Sequence, residues 1–215
     1  MFLSSTGNGK SSTCNTILQS TYFVVGDEMG SCTATSWEKY CPQLNINVID
    51  TAGFGDTRFD EKHIDNIISE LTIKVIKLDG SSTDQIDAFV LVIKCTPRAT
   101  TLKADIDHVC NIFGSVALKS MVILVITPDK YYSMTDDKIK EAFGMMPAVT
   151  DQIATAKGEP FSDKFYVRWD NEKPRDNQVE NLLRKTEGLE GYTHEKFVKA
   201  QEEIQARLNK AIDDK

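Results

Sequence analysis

Residues 4–11 read SSTGNGKS, and their types and spacing suit the binding of a phosphate group. The segment nearly matches the phosphate-loop pattern G-x-x-x-x-G-K-[ST], with serine in place of the first glycine. Gly7 and Gly9 let the backbone curl so that successive N–H groups point at phosphate oxygens, and the helix that follows adds the positive end of its dipole. Lys10 would reach the β- and γ-phosphates, and the Ser11 hydroxyl would ligate Mg²⁺. The segment therefore predicts a nucleotide site, with a polar turn that caps a helix as the alternative.

A second motif that could act on a nucleotide lies at residues 50–53, which read DTAG and follow a predicted strand. Ligands of open α/β sheets bind at the carboxyl ends of the strands, so we expect this motif and the phosphate loop at the same edge. In phosphate-loop proteins the aspartate, here Asp50, holds Mg²⁺ through water, and the glycine N–H, here Gly53, senses the γ-phosphate. Alone, the motif is equally typical of a turn. Together, the two motifs predict a nucleotide site.

The elements that must position these motifs follow from the hydrophobic pattern. Runs of β-branched and aliphatic residues predict buried strands at 45–50, 88–95, 121–127 and, more weakly, 164–169. Apolar residues at helical spacing predict helices at 61–78, 101–113, 135–145, 177–187 and 194–212. Strands that alternate with such helices predict an α/β fold, here a P-loop NTPase with a mostly parallel central sheet flanked by helices.

The composition is that of a soluble globular protein. The chain has 215 residues, of which 40% are hydrophobic and 27% charged, a balance that excludes intrinsic disorder as its main state. Its formal net charge of −7 argues against a surface built for nucleic acid. The sequence shows no signal peptide and no apolar run long enough to cross a bilayer, and its five cysteines are scattered as reduced thiols would be. We therefore expect a cytoplasmic protein.

The start of the chain is short for the fold that it predicts. A phosphate loop normally follows a central strand of roughly five or six residues. Here only Met1, Phe2 and Leu3 precede the loop. We therefore expect the first strand to be truncated.

Residues 7–18, GNGKSSTCNTIL, are similar to the signature T-G-N-G-K-S-x-x-x-N-x-I-L of the GIMAP/IAN immunity-associated nucleotide-binding proteins, a family of septin-like and chloroplast-import-receptor-like GTPases. Later segments resemble further elements of that family, at 31–33, 48–57, 112–114, 122–127, 171 and 178–183. The resemblance spans roughly residues 3–187. It implies a GTPase (G) domain at residues 1–190, and residues 191–215 would form a C-terminal helix packed on that domain or extending from it.

The resemblance also implies roles for individual residues. The nucleotide would be bound by the loop and the start of the following helix, namely Gly7, Asn8, Gly9, Lys10, Ser11 and Ser12. Mg²⁺ would be ligated by Ser11, Thr33 and Asp50, and catalysis would involve Lys10, Thr33 and Gly53. Thr33 would be the switch threonine that completes the Mg²⁺ shell in the triphosphate state. The alternative is an ordinary threonine in a loop rich in serine and threonine.

Recognition of the base is the least defined part of the predicted site. GTPases read guanine with the aspartate of an Asn/Thr-Lys-x-Asp segment, which follows the strand placed here at 121–127. Asp129 is displaced from that register, so it either reads guanine or caps the following turn. Trp169 and Asn171 are candidates to stack on the base and bond it, with packing at a strand end as the alternative for Trp169. Guanine rather than adenine is implied by the resemblance alone.

Phe54 follows the DTAG motif, where Ras-type GTPases place a glutamine that orients the attacking water. A phenyl ring cannot orient water, so we expect slow GTP hydrolysis unless a partner, most simply a second copy across the nucleotide face, supplies the missing group. The hypothesis is a cytoplasmic switch that binds GTP or GDP with Mg²⁺ and forms a homodimer or oligomer, with peripheral membrane association left open. The alternatives are a non-hydrolysing scaffold and, less favoured, an ATP-using phosphotransferase.

Overall fold

The computed structural model describes most of the chain. The described residues are 1–25, 38–54, 68, 72, 85–94, 100–127, 135–171 and 177–213. The strands are β1 (Phe2–Leu3), β2 (Glu38–Cys41), β3 (Ile46–Ile49), β4 (Gln85–Ile86), β5 (Phe89–Lys94), β6 (Met121–Ile126), β7 (Tyr166–Trp169) and β8 (Tyr192–Thr193). The helices are α1 (Lys10–Leu18), α2 (Thr100–Phe113), α3 (Asp136–Gly144), α4 (Pro147–Lys157), α5 (Gln178–Thr186) and α6 (His194–Asp213), with short 3₁₀ helices at Ser115–Ser120 and Asp163–Phe165.

The central sheet is parallel, with its strands in the order β1-β5-β6-β7. β5 and β6 pair along their full length, from Phe89 opposite Met121 to Lys94 opposite Ile126. Both strands are almost wholly buried apolar runs, as a parallel strand covered on both faces requires. The predicted fold, a P-loop α/β fold with a mostly parallel sheet flanked by helices, is confirmed.

The first strand is short, as expected, but it lies inside the core. β1 consists of Phe2 and Leu3, which pair with Val90 and Leu91 of β5. On its other side, Phe2 forms a parallel bridge with Asp50, the residue after β3. β1 therefore places the end of β3 beside the start of the phosphate loop.

β3 is also half of an antiparallel hairpin with β2. In this hairpin Glu38 pairs with Ile49, and Cys41 pairs with Ile46. β3 was predicted from its apolar residues, whereas β2, which reads EKYC and is half exposed, carries no such run and was missed.

Side chains of the central strands alternate between two apolar clusters, one on each face of the sheet. In β5, Leu91 and Ile93 belong to the cluster that also contains apolar residues of α2, α3, α4 and α6. Val90 and Val92 belong to the other cluster, with residues of α1 and α5. The sheet is thus covered on both faces, which makes three layers and leaves the carboxyl ends of its strands as the edge for a ligand.

Most of the predicted helices are observed with small shifts at their ends. The helices predicted at 101–113, 177–187 and 194–212 correspond to α2, α5 and α6. The helix predicted at 135–145 is α3, but α4, which begins at Pro147, was missed. Proline suits the first position of a helix because that position needs no N–H donor. The helix predicted at 61–78 lies outside the described residues except for Ile68 and Thr72, both helical and buried.

The first half of α6 packs on α2. Phe197 and Ala200 are buried, and the Gln201 amide donates to the carbonyl of Ile112. Farther along the helix, Leu208 is 55% exposed. In the part of the chain that the structure describes, no helix is long and apolar enough to cross a membrane.

Candidate functional site

The phosphate loop joins β1 to α1, and its backbone curls at two glycines. Gly7 has a φ of 82° and Gly9 a φ of 90°, left-handed values that side chains disfavour. Gly9 is the N-cap of α1, and no side chain caps the helix there, so the N–H groups of the first helical turn have no partner within the helix. A Cβ at Gly9 would lie 2.9 Å from Cδ1 of Ile126. The dihedral angle therefore favours glycine at this position, and any larger residue would also displace the end of the Ile126 side chain.

Lys10 and Ser11 both contact Asp50. Nζ of Lys10 donates to Oδ1 of Asp50 at 2.9 Å, and Oγ of Ser11 donates to Oδ2 at 2.6 Å. The side chains of Lys10 and Asp50 are only 8% and 10% exposed. Two motifs 40 residues apart in sequence thus bring an ammonium, a hydroxyl and a carboxylate to one point at the carboxyl edge of the sheet.

The DTAG segment lies directly against the phosphate loop. The Thr6 N–H donates to the carbonyl of Phe54 at 3.0 Å, and the Phe54 N–H donates to the carbonyl of Ser4 at 2.8 Å. Gly53 passes so close to Thr6 that a Cβ there would lie 2.5 Å from Thr6 Oγ1 and 2.8 Å from its Cα. The two segments are therefore joined backbone to backbone, and neither can shift without the other.

Phe54 is a core residue and is only 2% exposed. Its ring stacks on the imidazole of His108 in α2, with the ring centroids 5.0 Å apart and 15° between the planes. The residue in the glutamine position of Ras-type GTPases is therefore turned into the hydrophobic core.

A contact between the loop and α2 was missed by the sequence analysis. Oγ of Ser5 donates to Oδ1 of Asp105, a completely buried residue. Within the described residues, Oδ2 of Asp105 has no hydrogen-bond partner. Burial raises the pKa of Asp105, against the lowering effects of the Ser5 bond and of His108. The only feature of the sequence that could have indicated this contact is the position of Asp105, next to Ile106 in the apolar stripe of α2.

Trp169 is the last residue of β7, and its ring is fully buried, with 0% exposed. The indole presents no free face, so the structure supports packing rather than stacking on a base. Its Nε1–H donates to Oδ1 of Asn171 at 2.8 Å. Nδ2 of Asn171 donates to the carbonyl of Gly9 at 3.3 Å and to the hydroxyl of Thr13 at 3.2 Å. Asn171 thus contacts the phosphate loop, and Trp169 is linked to the loop through Asn171.

The other predicted site residues are less constrained. Asn8 is half-buried, and its Nδ2 donates to the carbonyl of Val92 near the end of β5 at 3.4 Å. Gly7 is exposed, and Ser12 is half-buried on α1. Two predicted residues lie outside the described part of the chain, namely Thr33 and Asp129.

The site therefore combines a glycine-curled loop at a helix start with Lys10, Ser11 and Asp50 in mutual contact. The family model described as AIG1 family matches residues 1–215, which is the whole sequence. The chain belongs to the AIG1 family. It is a P-loop GTPase of that family, in agreement with the resemblance found in its motifs. A search among curated proteins found no match to this AIG1 chain.

Solved structures with a similar fold include those of Toc33 from Arabidopsis thaliana. Toc33 in complex with GDP and Mg²⁺ is 14% identical, with 89% of this chain and 85% of that chain covered and a TM-score of 0.60. Toc33 in complex with Mg²⁺ and GMPPNP has the same identity and coverage and a TM-score of 0.61. A third structure, from work on the importance of dimerization for the GTPase activity of atToc33 and psToc159, is 16% identical, covers 89% and 84%, and has a TM-score of 0.56. At these identities the likeness shows the fold.

Proposed function

We propose that this AIG1 protein binds GTP and GDP with Mg²⁺ in the cytoplasm, hydrolyses GTP slowly, and uses the nucleotide to control its self-association. The observation that carries the proposal is the contact of Lys10 and Ser11 with Asp50 at the end of the phosphate loop. An ammonium and a hydroxyl at the start of a helix suit phosphate, and a carboxylate beside them suits a divalent cation.

The donor set fits Mg²⁺. This hard cation takes oxygen ligands, keeps several waters, and is usually held by one or two protein oxygens together with substrate phosphates. Oγ of Ser11 and the carboxylate of Asp50 provide such oxygens within 2.6 Å of each other. When bound, Mg²⁺ would neutralise charge on the β- and γ-phosphates. Thr33, in the segment outside the described residues, would add its hydroxyl in the triphosphate state.

The protein's own residues would bind and orient the phosphates. Lys10 would turn from Asp50 to the β- and γ-phosphates, and the N–H groups at the start of α1 would point at phosphate oxygens. The Gly53 N–H would bond the γ-phosphate, and its contact with Thr6 would tie the phosphate loop to the segment after DTAG. Guanine as the base is supported by membership of the AIG1 family and by the guanine nucleotides bound to Toc33.

Slow hydrolysis is supported by the position of Phe54. A ring that is 2% exposed and stacked on His108 has no group that could orient an attacking water. A second copy across the nucleotide face could supply that group, and the reported importance of dimerization for the GTPase activity of atToc33 and psToc159 favours this arrangement by analogy.

Calorimetric titration tests nucleotide binding directly. Wild type and Lys10→Ala are titrated with GDP, a non-hydrolysable GTP analogue and ATP, each in the presence of Mg²⁺. We expect wild type to bind both guanine nucleotides more tightly than ATP, and Lys10→Ala to lose most of that affinity. Absence of guanine-nucleotide binding by wild type would refute the proposal, and tighter binding of ATP would favour the phosphotransferase.

A second candidate, a scaffold that binds nucleotide without hydrolysing it, is favoured by the same burial of Phe54. Turnover separates the two functions. We expect the GTP hydrolysis rate per protomer to be low in dilute protein and to rise with protein concentration as dimers form. A rate that stays at the uncatalysed level at every concentration supports the scaffold, and a fast rate in dilute protein contradicts the dependence on a second copy.

A further inference from the structure

We infer that Asn171 is a positioning residue that, together with Thr13, holds the orientation of the Gly9–Lys10 peptide in the phosphate loop. This inference rests on the proposed nucleotide binding and assigns Asn171 to the phosphate side of the site rather than to the base. Its Nδ2 donates to the carbonyl of Gly9 at 3.3 Å. In a planar trans peptide the C=O and the following N–H point in opposite directions. The Gly9 carbonyl also accepts from the N–H and the hydroxyl of Thr13, at 2.9 Å each, so Asn171 adds a third donor from the end of β7. With its carbonyl held in this way, the peptide directs the Lys10 N–H to the opposite side.

The orientation of the Asn171 amide follows from the chemistry of its partners. Nε1 of Trp169, 2.8 Å from Oδ1, is only a donor, and the carbonyl of Gly9 is only an acceptor. The amide oxygen must therefore face Trp169, and the amide nitrogen must face the loop. The reverse orientation would set donor against donor and acceptor against acceptor.

The polar groups of the Asn171 side chain are directed at other residues of the protein. Its Nδ2 also lies 3.2 Å from the hydroxyl of Thr13, and its Oδ1 lies 3.2 Å from the hydroxyl of Thr16. The Thr16 hydroxyl has a single proton, for which the Ser12 carbonyl at 2.9 Å competes, so the Trp169 N–H is the main donor to Oδ1. Nδ2 is directed at Gly9 and Thr13 and not outward at a base. Asn171 therefore acts on nucleotide binding through Gly9 and α1.

Asn171 is itself held in place from α5. Gln178, the first residue of that helix, is 3% exposed, and its side chain bonds both polar groups of the Asp170 backbone. The Asp170 N–H donates to Oε1 at 3.2 Å, and Nε2 donates to the Asp170 carbonyl at 3.0 Å. This amide-to-backbone pair fixes the chain one residue before Asn171. The start of α5, the end of β7 and the phosphate loop are thereby linked through two buried or half-buried amides.

Two substitutions at Asn171 give opposite expectations for a positioning role and a base-binding role. Asn171→Ala removes the contact with Gly9, and Asn171→Asp places a carboxylate oxygen against the Gly9 carbonyl while keeping an acceptor for Trp169. If Asn171 positions the loop, both variants weaken GDP binding, by about tenfold for alanine and more for aspartate. If Asn171 instead accepted from the N–H groups of guanine, as the aspartate of the GTPase base-recognition segment does, Asn171→Asp would keep that contact and GDP would bind as tightly as to wild type or more tightly.

The binding experiment compares GDP with inosine diphosphate, which lacks the exocyclic amine of guanine. We expect Asn171→Ala to weaken both nucleotides by the same factor, so that their affinity ratio stays at the wild-type value. A change in that ratio, or GDP affinity equal to that of wild type, overturns the inference. Gln201→Ala is the matched control. Gln201, on α6, is also half-buried, and its amide donates to a backbone carbonyl, that of Ile112 at the end of α2, away from the phosphate loop.

Hydrogen exchange of the nucleotide-free protein decides the question without a ligand. We expect Asn171→Ala to speed amide exchange in residues 9–14, and Gln201→Ala to leave exchange there unchanged. Equal protection of that segment in wild type and Asn171→Ala would overturn the inference. If wild type bound no guanine nucleotide, the proposed function would fail, and the exchange result would still decide the role of Asn171.

Discussion

The ammonium of Lys10 lies 2.9 Å from Oδ1 of Asp50, with both side chains almost completely removed from water. Two charges in such a place are tolerated because each neutralises the other, and Ser11 bonds the second oxygen of the carboxylate. A nucleotide phosphate would compete for Lys10, and Mg²⁺ would compete for Asp50. The pair thus holds both groups at the loop before any ligand arrives.

This relationship predicts that Lys10→Ala affects stability as well as binding. The variant leaves a buried carboxylate without its cation, and removing one partner of a buried pair destabilises by about 3–5 kcal/mol. Lys10→Ala combined with Asp50→Asn removes both charges and is expected to recover most of the loss. Urea unfolding of the nucleotide-free proteins measures the difference. A single variant as stable as wild type would contradict the buried pair.

The same two variants separate folding from function. The double variant, although restored in stability, should still fail to bind a GTP analogue with Mg²⁺, because the phosphate contact and the metal contact are both gone. Titration of the double variant under conditions where it is fully folded gives this result. Binding at the wild-type level would show that Lys10 and Asp50 form a structural pair only.

Gly53→Ala is expected to disturb the phosphate loop from the DTAG side. Its Cβ would lie 2.5 Å from Thr6 Oγ1 and 2.8 Å from Thr6 Cα, so the two backbones must separate. Overpacking of this kind costs about 1–3 kcal/mol, and we expect affinity for a GTP analogue to fall about tenfold or more. Thermal unfolding and titration measure the two effects. Gly144→Ala is the control, since a Cβ at Gly144 meets nothing within 4 Å. Equal behaviour of both variants would show that the close approach is unimportant.

Phe54→Gln is expected to destabilise the protein rather than to produce a fast GTPase. The ring is 2% exposed and stacked on His108, so its replacement leaves a cavity and buries an amide. Removal of a buried phenyl group costs about 3 kcal/mol or more. Tyr40→Gln, at a half-exposed aromatic residue, should change stability by less than about 1 kcal/mol. Turnover that rises strongly in Phe54→Gln with little loss of stability would show that the position faces the nucleotide.

Sequence reasoning placed Lys10, Ser11 and Asp50 at one site because phosphate loops and strand ends obey simple rules of spacing and sheet geometry. It could not place Trp169, because an aromatic residue at a strand end packs or stacks according to its neighbours. It assigned Asn171 to the base, and its contact with Gly9 could not be foreseen because the two residues are 162 positions apart. Ser5 and Asp105 are 100 residues apart in sequence. The only indication of their contact in the sequence is an aspartate at a position of α2 where the pattern calls for an apolar residue.

The local failures have similar causes. β2 reads EKYC and gains its strand conformation from pairing with β3, which no property of the segment itself predicts. α4 begins at Pro147, which suits a helix start, but its large apolar residues are only Val149 and Ile153, too few to form a clear stripe. Both elements are set by tertiary contacts rather than by hydrophobic pattern.

Lys157 gives the protein a specific pH dependence of stability. Its Nζ donates to the carbonyl of Lys119 at 3.0 Å and lies 5.0 Å from the centre of the Phe165 ring. Burial lowers the pKa of Lys157 from 10.5 to about 8, against the raising effect of Glu159. Below pH 8 the ammonium is charged in both the folded and the unfolded chain, and its desolvation lowers stability.

Between pH 8 and 10.5 the unfolded chain still holds this proton while the folded chain has released it. The proton excess in the unfolded state means that the free energy of unfolding rises with pH through this window because of Lys157. Lys157→Met lacks the group, so wild type should gain stability relative to the variant as pH increases from 8 to 10.5. Lys185→Met controls for loss of a charge, since Lys185 is another half-buried lysine whose ammonium donates to a backbone carbonyl. Urea unfolding at half-unit steps of pH measures the difference, and parallel curves for wild type and Lys157→Met would contradict a partly desolvated ammonium at this position.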